Sequence, residues 1–195
     1  MATLRYIREI KDSRLLLLGI VGEGEPSRFT VSTTVMESIG SPTVGAELDE
    51  RQMSVIEYAD RLFRAKKKAL SILAYADNNR RNLALKLARA GFERDIVDEV
   101  VDEMLSLGYI REKDQLERLI LVEANGKLRG PSRIIPALVT KGYSSSDVRE
   151  VLHSLVDSGE VDFKKNARIL IEKKLPQGAD AEEKKKLLYK NGYKI

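Results

Sequence analysis

Eight cations are the candidate binding residues in this sequence: Arg80, Arg81, Lys86, Arg89, Lys127, Arg129, Arg133 and Lys141. Long cationic side chains on helices attract phosphates and acidic protein surfaces. Arg133 leads the set, because it lies two residues after Pro131, in the first turn of a proline-started helix. Its plain alternative is a cap or a surface ion pair of small energetic weight. Lys141 has an equally plain alternative as a favourable charge at a helix C-terminus.

Catalytic readings fare poorly. The single histidine, His153, sits beside Val151-Leu152 and before Leu155, a spacing that turns it toward solvent or an edge. Asp98 and Asp102 are i,i+4 neighbours on an acidic face without a nearby histidine. There is no cysteine, which removes disulfides, thiolate chemistry and zinc–sulfur sites. Gly19, Gly22 and Gly24 precede no helix, so no phosphate-cradling loop is formed. The expectation is a non-enzyme with no metal and no cofactor.

Charge is segregated along the chain. Eight Lys/Arg stand against one acid from Arg64 to Ala90, and six acids against Arg94 from Glu93 to Glu103. Residues 144–162 are again acidic, and the stretch from Phe163 carries ten cations against four acids. Each unit thus has basic leading helices and an acidic closing helix, suited to a polyanion and a charged protein respectively. A charged fraction of 33% with 43% hydrophobic residues fits small helical units. No segment has the length of a membrane span, and a cytoplasmic protein is expected.

The elements that position these charges repeat at about fifty residues. Leu87-Ala88-Arg89-Ala90-Gly91-Phe92 returns as Leu138-Val139-Thr140-Lys141-Gly142-Tyr143 and as Leu188-Tyr189-Lys190-Asn191-Gly192-Tyr193. Downstream, Val97, Val100, Val101, Met104, Leu105, Gly108 and Ile110 correspond to Val148, Val151, Leu152, Leu155, Val156, Gly159 and Val161. Such periodicity defines a helical repeat protein that presents a long surface. The fold expected is mainly α, with tandem three-helix repeats in an elongated curved array and a small N-terminal β-hairpin element.

The spacing predicts helices over 80–90, 94–107, 113–125, 131–141, 146–158, 163–174 and 181–191. Gly91 and Gly108 sit where helices should stop. Asp49 and Gln52 form a capping-box variant opening a helix that either runs toward Leu73 or breaks near Lys66-Lys67-Lys68. Strands are expected at 4–7, 14–21 and 29–35, with a turn at residues 22–26 and a linker at 38–45. The domains are then a β-rich extension (1–47), a leading helix with repeat 1 (48–110), repeat 2 (111–162) and a shortened repeat 3 (163–195). Ile169, Leu170, Leu187 and Leu188 are expected to pack back on the second repeat, with self-association as the alternative. Tyr75, Phe92 and Tyr143 are expected to be buried by repeat packing, which leaves few rings for stacking on single strands.

These features resemble the RecX family, regulators of the bacterial RecA recombinase. The resemblance rests on Leu85-Lys86-Leu87 with Gly91-Phe92, on Gly130-Pro131-Ser132-Arg133-Ile134, and on Leu138 through Lys141-Gly142. It covers residues 64–195. Two departures stand out: Asn82 replaces an acid common at the start of the first unit's second helix, and Arg111-Glu112-Lys113-Asp114 offers only shifted acids after its last turn. The resemblance implies a protein that binds RecA and its filament on single-stranded DNA, spanning neighbouring subunits. It implies reduced ATP hydrolysis, strand exchange and LexA self-cleavage, hence a place in DNA repair, recombination and the SOS response. The eight cations are then the expected partner-binding residues, on a chain expected to be a monomer. Contact with naked DNA is expected to be weak and strongly salt-dependent. A basic helical DNA-binding module and a generic repeat scaffold are the competing readings.

Overall fold

The computed structural model describes residues 2–22 and 24–194. The protein is mainly α, with a small antiparallel sheet at its N-terminus. The chain divides into two units. One takes the residues up to Ala76 together with Leu83–Ser106; the other takes Asp77–Asn82 and the chain from Leu107.

The first unit opens with β1 (Ala2–Glu9), β2 (Leu15–Val21) and β3 (Ser27–Ser32), followed by helix α1 (Thr33–Ser38) and the short β4 (Glu47–Leu48). They form a four-stranded sheet in the order β3-β2-β1-β4. The third strand ends three residues earlier than its β-branched composition suggests. The Ser32 side chain accepts the Val35 N–H at 3.2 Å and starts α1, so Thr33, Thr34 and Val35 become helical. The expected linker likewise ends in structure, because Glu47 and Leu48 pair with Thr3 and Ala2. Glu23, within the expected turn, lies outside the described residues.

Helix α2 (Glu50–Tyr75) runs unbroken through Lys66-Lys67-Lys68. It opens with the full capping box: Asp49 Oδ1 accepts from the Gln52 N–H, and Gln52 Oε1 from the Asp49 N–H. Ile56 of this helix closes a core with Leu4, Leu18, Ile20, Val31, Met36 and Leu48. Asp60, one turn on, accepts the Thr30 N–H at 2.7 Å, which satisfies a donor on the outer strand of the sheet.

Helices α3 (Arg80–Arg89) and α4 (Arg94–Ser106) complete the first repeat. The second comprises α5 (Glu112–Leu121), α6 (Pro131–Thr140) and α7 (Ser145–Asp157), and the third α8 (Phe163–Lys174) and α9 (Ala181–Lys190). The helix α5 does not reach Asn125 as a regular α-helix; its last residues, Val122–Gly126, form a π-helical turn. The apolar positions that repeat in sequence are buried in both closing helices: Val97, Val100, Val101 and Met104, then Val148, Val151, Leu152 and Leu155.

The repeated Leu-x-x-x-Gly-(Phe/Tyr) has a local physical cause. Gly91, Gly142 and Gly192 take φ of +91°, +101° and +88°, where a side chain would be strained. Phe92, Tyr143 and Tyr193 donate their N–H groups back to the carbonyls of Leu87, Leu138 and Leu188. Gly91, Gly142 and Gly192 donate to Ala88, Val139 and Tyr189. That pair of bonds is a Schellman turn, and the motif is its chemistry written three times.

Candidate partner-binding surface

The second unit holds two helix-end junctions built on one plan. In the first, the C-terminus of α6 meets the N-terminus of α3. Asn79 caps α3, its Oδ1 accepting the Asn82 N–H at 2.8 Å. The Nδ2 groups of Asn79 and Asn82 both donate to the carbonyl of Lys141, at 3.0 and 3.2 Å. Asn82, the departure from the family pattern, is therefore a junction residue. Glu112, the shifted acid, accepts the Arg80 N–H at 2.8 Å and places negative charge at the positive end of α3.

In the second junction, the C-terminus of α9 meets the N-terminus of α6. Here the cap position is Gly130, and the bonds run between main chains. The Gly130 N–H donates to Asn191 O at 2.8 Å, and Ser132 N–H to Gly192 O at 3.1 Å. A Cβ on Gly130 would sit 2.4 Å from the Gly192 carbonyl. Tyr193 follows into the interior, donating its hydroxyl to Leu128 O at 3.1 Å, with its ring edge-on to Phe163 at 6.2 Å. Leu128, Leu170 and Tyr193 form a small core with Ile169, Leu187 and Leu188 packed against it. The apolar residues of the third repeat thus pack onto Leu128, which precedes α6.

The segment before Gly130 is tied to Glu123, only 3% exposed. Glu123 binds Lys127 Nζ at 2.6 Å and Arg129 Nη1 at 2.5 Å. Burial alone would push its carboxyl up, but the hydrogen bonds and charges of Lys127 and Arg129 outweigh that and hold it below its ordinary value. Arg129 N–H also donates to Glu123 O, and Leu128 is held at φ +54°, a left-handed conformation uncommon for leucine.

The eight sequence-predicted cations separate accordingly. Lys127 and Arg129 are engaged with Glu123. Lys86 and Arg89 lie in the last turn of α3 and are exposed, in the first unit. Arg80 and Arg81 are exposed in the first turn of α3, in the second unit. Arg81 Cδ and the Asn79 side chain would be the neighbours of a Cβ on Gly142, at 3.2–3.4 Å. The first junction therefore brings Arg81 beside Lys141. A hollow of about 450 Å³ lies there, lined by Lys141, Asn79, Asn82, Leu119, Val122 and Tyr143 among others. Arg118 on α5 also lines it and pairs with Asp77 at 2.5 Å, a cation that sequence reasoning missed. Its signal is weak, because Arg118 and Asp77 are far apart in sequence.

Arg133 is exposed at the second junction, where it lines a hollow with Ser132, Tyr189, Lys190 and Lys194. Lys190 and Lys194 also escaped the sequence reading, since nothing local ties them to Arg133. The three aromatic side chains expected in the core do not share one environment. Phe92 and Tyr143 are half-buried, but Tyr75 is 93% exposed: α2 ends at it, and the chain leaves the helix extended at Ala76. Tyr189 is 80% exposed as well. His153 is exposed, as expected, with its Nδ1 2.6 Å from Asp157 Oδ2. No helix among the described residues is long and apolar enough to cross a membrane.

Recurring three-helix units joined by equivalent helix-end contacts define a tandem helical-repeat protein. Residues 65–104 match the family model described as RecX, first three-helix domain. A "Regulatory protein RecX" of Bacillus cytotoxicus is 30% identical over 153 residues, covering 78% of this chain and 55% of that protein. Another, of Clostridioides difficile, is 28% identical over 146 residues, covering 75% and 66%. The chain thus spans roughly half to two thirds of the length of these curated relatives. A solved structure described as regulatory protein RecX matches the fold with a TM-score of 0.72 at 20% identity, covering 100% of this chain and 95% of its own. RecX from Lactobacillus salivarius matches with a TM-score of 0.58 at 21% identity over 70% of this chain and 90% of its own. The resemblance to the RecX family is thereby shown, in sequence and in fold.

Proposed function

We propose that this chain is a regulator of RecA that binds the filament RecA forms on single-stranded DNA and slows its ATP hydrolysis, strand exchange and stimulation of LexA self-cleavage. The relatives are named regulatory proteins, and the RecX resemblance supplies RecA as the partner. One structural observation supports the reading above the rest: successive repeats carry cations at equivalent junctions. Arg81, Arg118 and Lys141 stand at the first, and Arg133, Lys190 and Lys194 at the second. Two equivalent basic patches suit a partner made of repeated subunits, with charge setting the encounter rate and the register.

The test is the ATPase rate of RecA on single-stranded DNA, titrated with this protein at two salt concentrations. The expected result is inhibition at substoichiometric ratios that weakens with added salt. A double charge reversal, Arg81→Glu with Lys141→Glu, is expected to shift the titration at least tenfold toward higher protein if both cations meet buried acids. A folded protein that leaves the ATPase unchanged at every ratio overturns the proposal.

A further inference from the structure

Strand β2 is apolar on both faces, and the core uses only one of them. An antiparallel sheet with one face in water ordinarily alternates apolar and polar residues along each strand. β2 instead reads Leu15-Leu16-Leu17-Leu18-Gly19-Ile20-Val21. Leu16, Leu18 and Ile20 belong to the core of the first unit, together with Leu4, Ile7, Phe29 and Val31. Leu15, Leu17 and Val21 take no part in that core and lie half-buried on the opposite face. Gly19 stands between them. Tyr6 of β1 lies across it so closely that a Cβ there would collide with the ring. A bulge between Leu4 and Tyr6 shifts the register and aims the ring at this face.

The rim of the same face is cationic. The register sets Arg8 and Thr30 on either side of Leu17, and Tyr6 and Arg28 on either side of Gly19. Arg5 (at the bulge), Arg8 and Arg28 are exposed and enter no ion pair among the described residues. Among the described strand residues the pairing puts one acid on this face, Glu47, opposite Thr3 at the far edge. Glu9 pairs with Leu16 and so belongs to the core side.

The patch has the dimensions of one helix. Its seven-residue central strand is about 24 Å long, the length of a helix of about 16 residues. The flanking strands lie about 5 Å to each side, so the face is about 10 Å wide, close to a helix diameter. Other occupants fit less well. A second copy laid face to face would set arginine against arginine. A bilayer is met by protruding apolar side chains, whereas these are half-buried within a rim of arginines. Bases would find one ring among aliphatic side chains that offer no stacking.

We infer that the outer face of the N-terminal sheet is a docking surface for an acidic amphipathic helix of a partner protein. The helix lays its apolar ridge along Leu15, Leu17, Tyr6 and Val21, and its flanking carboxylates meet Arg5, Arg8 and Arg28. The site lies within the first unit and uses none of the cations at the repeat junctions, so it stands apart from the function proposed above.

The test follows, by anisotropy, the binding of a labelled helical peptide to the full chain. The peptide has about 16 residues, with leucines along one face and glutamates on both sides of them. Saturable binding that weakens with salt is expected. A peptide of the same composition, with its leucines scrambled off one face, should bind at least about tenfold more weakly. Arg8→Glu with Arg28→Glu is expected to weaken binding at least about tenfold, and Leu17→Gln about fivefold or more. Lys190→Glu with Lys194→Glu, in the second unit, should leave it unchanged. Thermal melts that match the parent's confine these effects to the surface. Amide shifts of the isotope-labelled parent, expected to move at residues 15–21 on adding peptide, locate the site without any substitution. Absence of saturable binding overturns the proposal, as does equal binding of the scrambled peptide. So does binding lost with the Lys190 and Lys194 reversals, or displaced by phosphatidylglycerol vesicles, which would mark a membrane surface. RecA is absent throughout, so none of these failures bears on the ATPase test.

Discussion

The two junctions of the second unit answer one problem differently, and the difference lies in one side chain. Both bring the Schellman turn of one helix against the first turn of another. At the α6–α3 junction the cap is Asn79, whose side chain spans the gap and bonds Lys141 O. At the α9–α6 junction the equivalent residue is Gly130, and the main chains touch. A hollow borders each junction, about 450 Å³ at the first and about 430 Å³ at the second. Without a cap side chain the second contact runs main chain to main chain, with Tyr193 beside it at 7% exposure. The same repeat thus yields a junction bridged by side chains and one closed by the backbone, which fixes the third repeat.

The anchoring of the preceding segments follows the same split. Before Asn79, Asp77 pairs with Arg118, and both side chains are largely exposed. Before Gly130, the anchor is buried Glu123. Exposed pairs contribute little stability, whereas a buried carboxylate deprived of its partners is costly.

The two junctions differ most at Gly130. Gly130→Ala drives a Cβ into the Gly192 backbone, parts the α9–α6 contact and exposes Tyr193. The expected loss is roughly 3 kcal/mol, read from the denaturant midpoint, with faster proteolysis of α9. Retention of wild-type stability would show that the close approach does not constrain this position. Asn79→Ala tests the junction bridged by side chains. It removes a cap and the bond to Lys141 O, for an expected loss of about 1–2 kcal/mol on the same measurement. A loss equal to that of Gly130→Ala would erase the proposed difference between the junctions.

The smallest effect is a pH dependence. Glu123 has a folded-state value below its ordinary 4.5, so its contribution is present above that value. As pH falls through 4.5 and below, the unfolded chain takes up the proton first, and the contribution is lost. Glu123→Gln is expected to flatten the stability–pH curve below pH 4.5 while leaving Asn79-dependent stability unchanged. An unaltered acid limb would assign the acid sensitivity to other carboxylates. Asp162 is one, held low by the Lys165 and Lys164 N–H groups that it caps.

Helices were readable residue by residue because their determinants are local. The Asp49–Gln52 box, Pro131 at the start of α6 and the three glycines past α3, α6 and α9 act within one turn, and the observed ends follow them within one or two residues. The β-prone run at Thr33–Val35 misled because a serine cap competes locally with the strand and prevails. Tyr75 misled because its repeat register suggests a core face, while the helix simply ends there. Of the candidate surface, Arg81, Arg133 and Lys141 were legible from charge and position. Arg118, Lys190 and Lys194 were not, since only the docking of distant helix ends makes them neighbours.

By itself the sequence determined the repeat, the helix ends and the charge of each helix, because caps, periodicity and glycine turns work over a few residues. Tertiary structure alone decided which helix ends meet. It also decided that Lys127 and Arg129 serve a buried carboxylate while Arg133 joins Lys190 and Lys194. The meeting of helix ends and the grouping around Arg133 depend on packing between residues fifty or more positions apart, where no local preference reaches; Lys127 and Arg129 stand only four and six residues from Glu123, and packing adds the burial of that carboxylate.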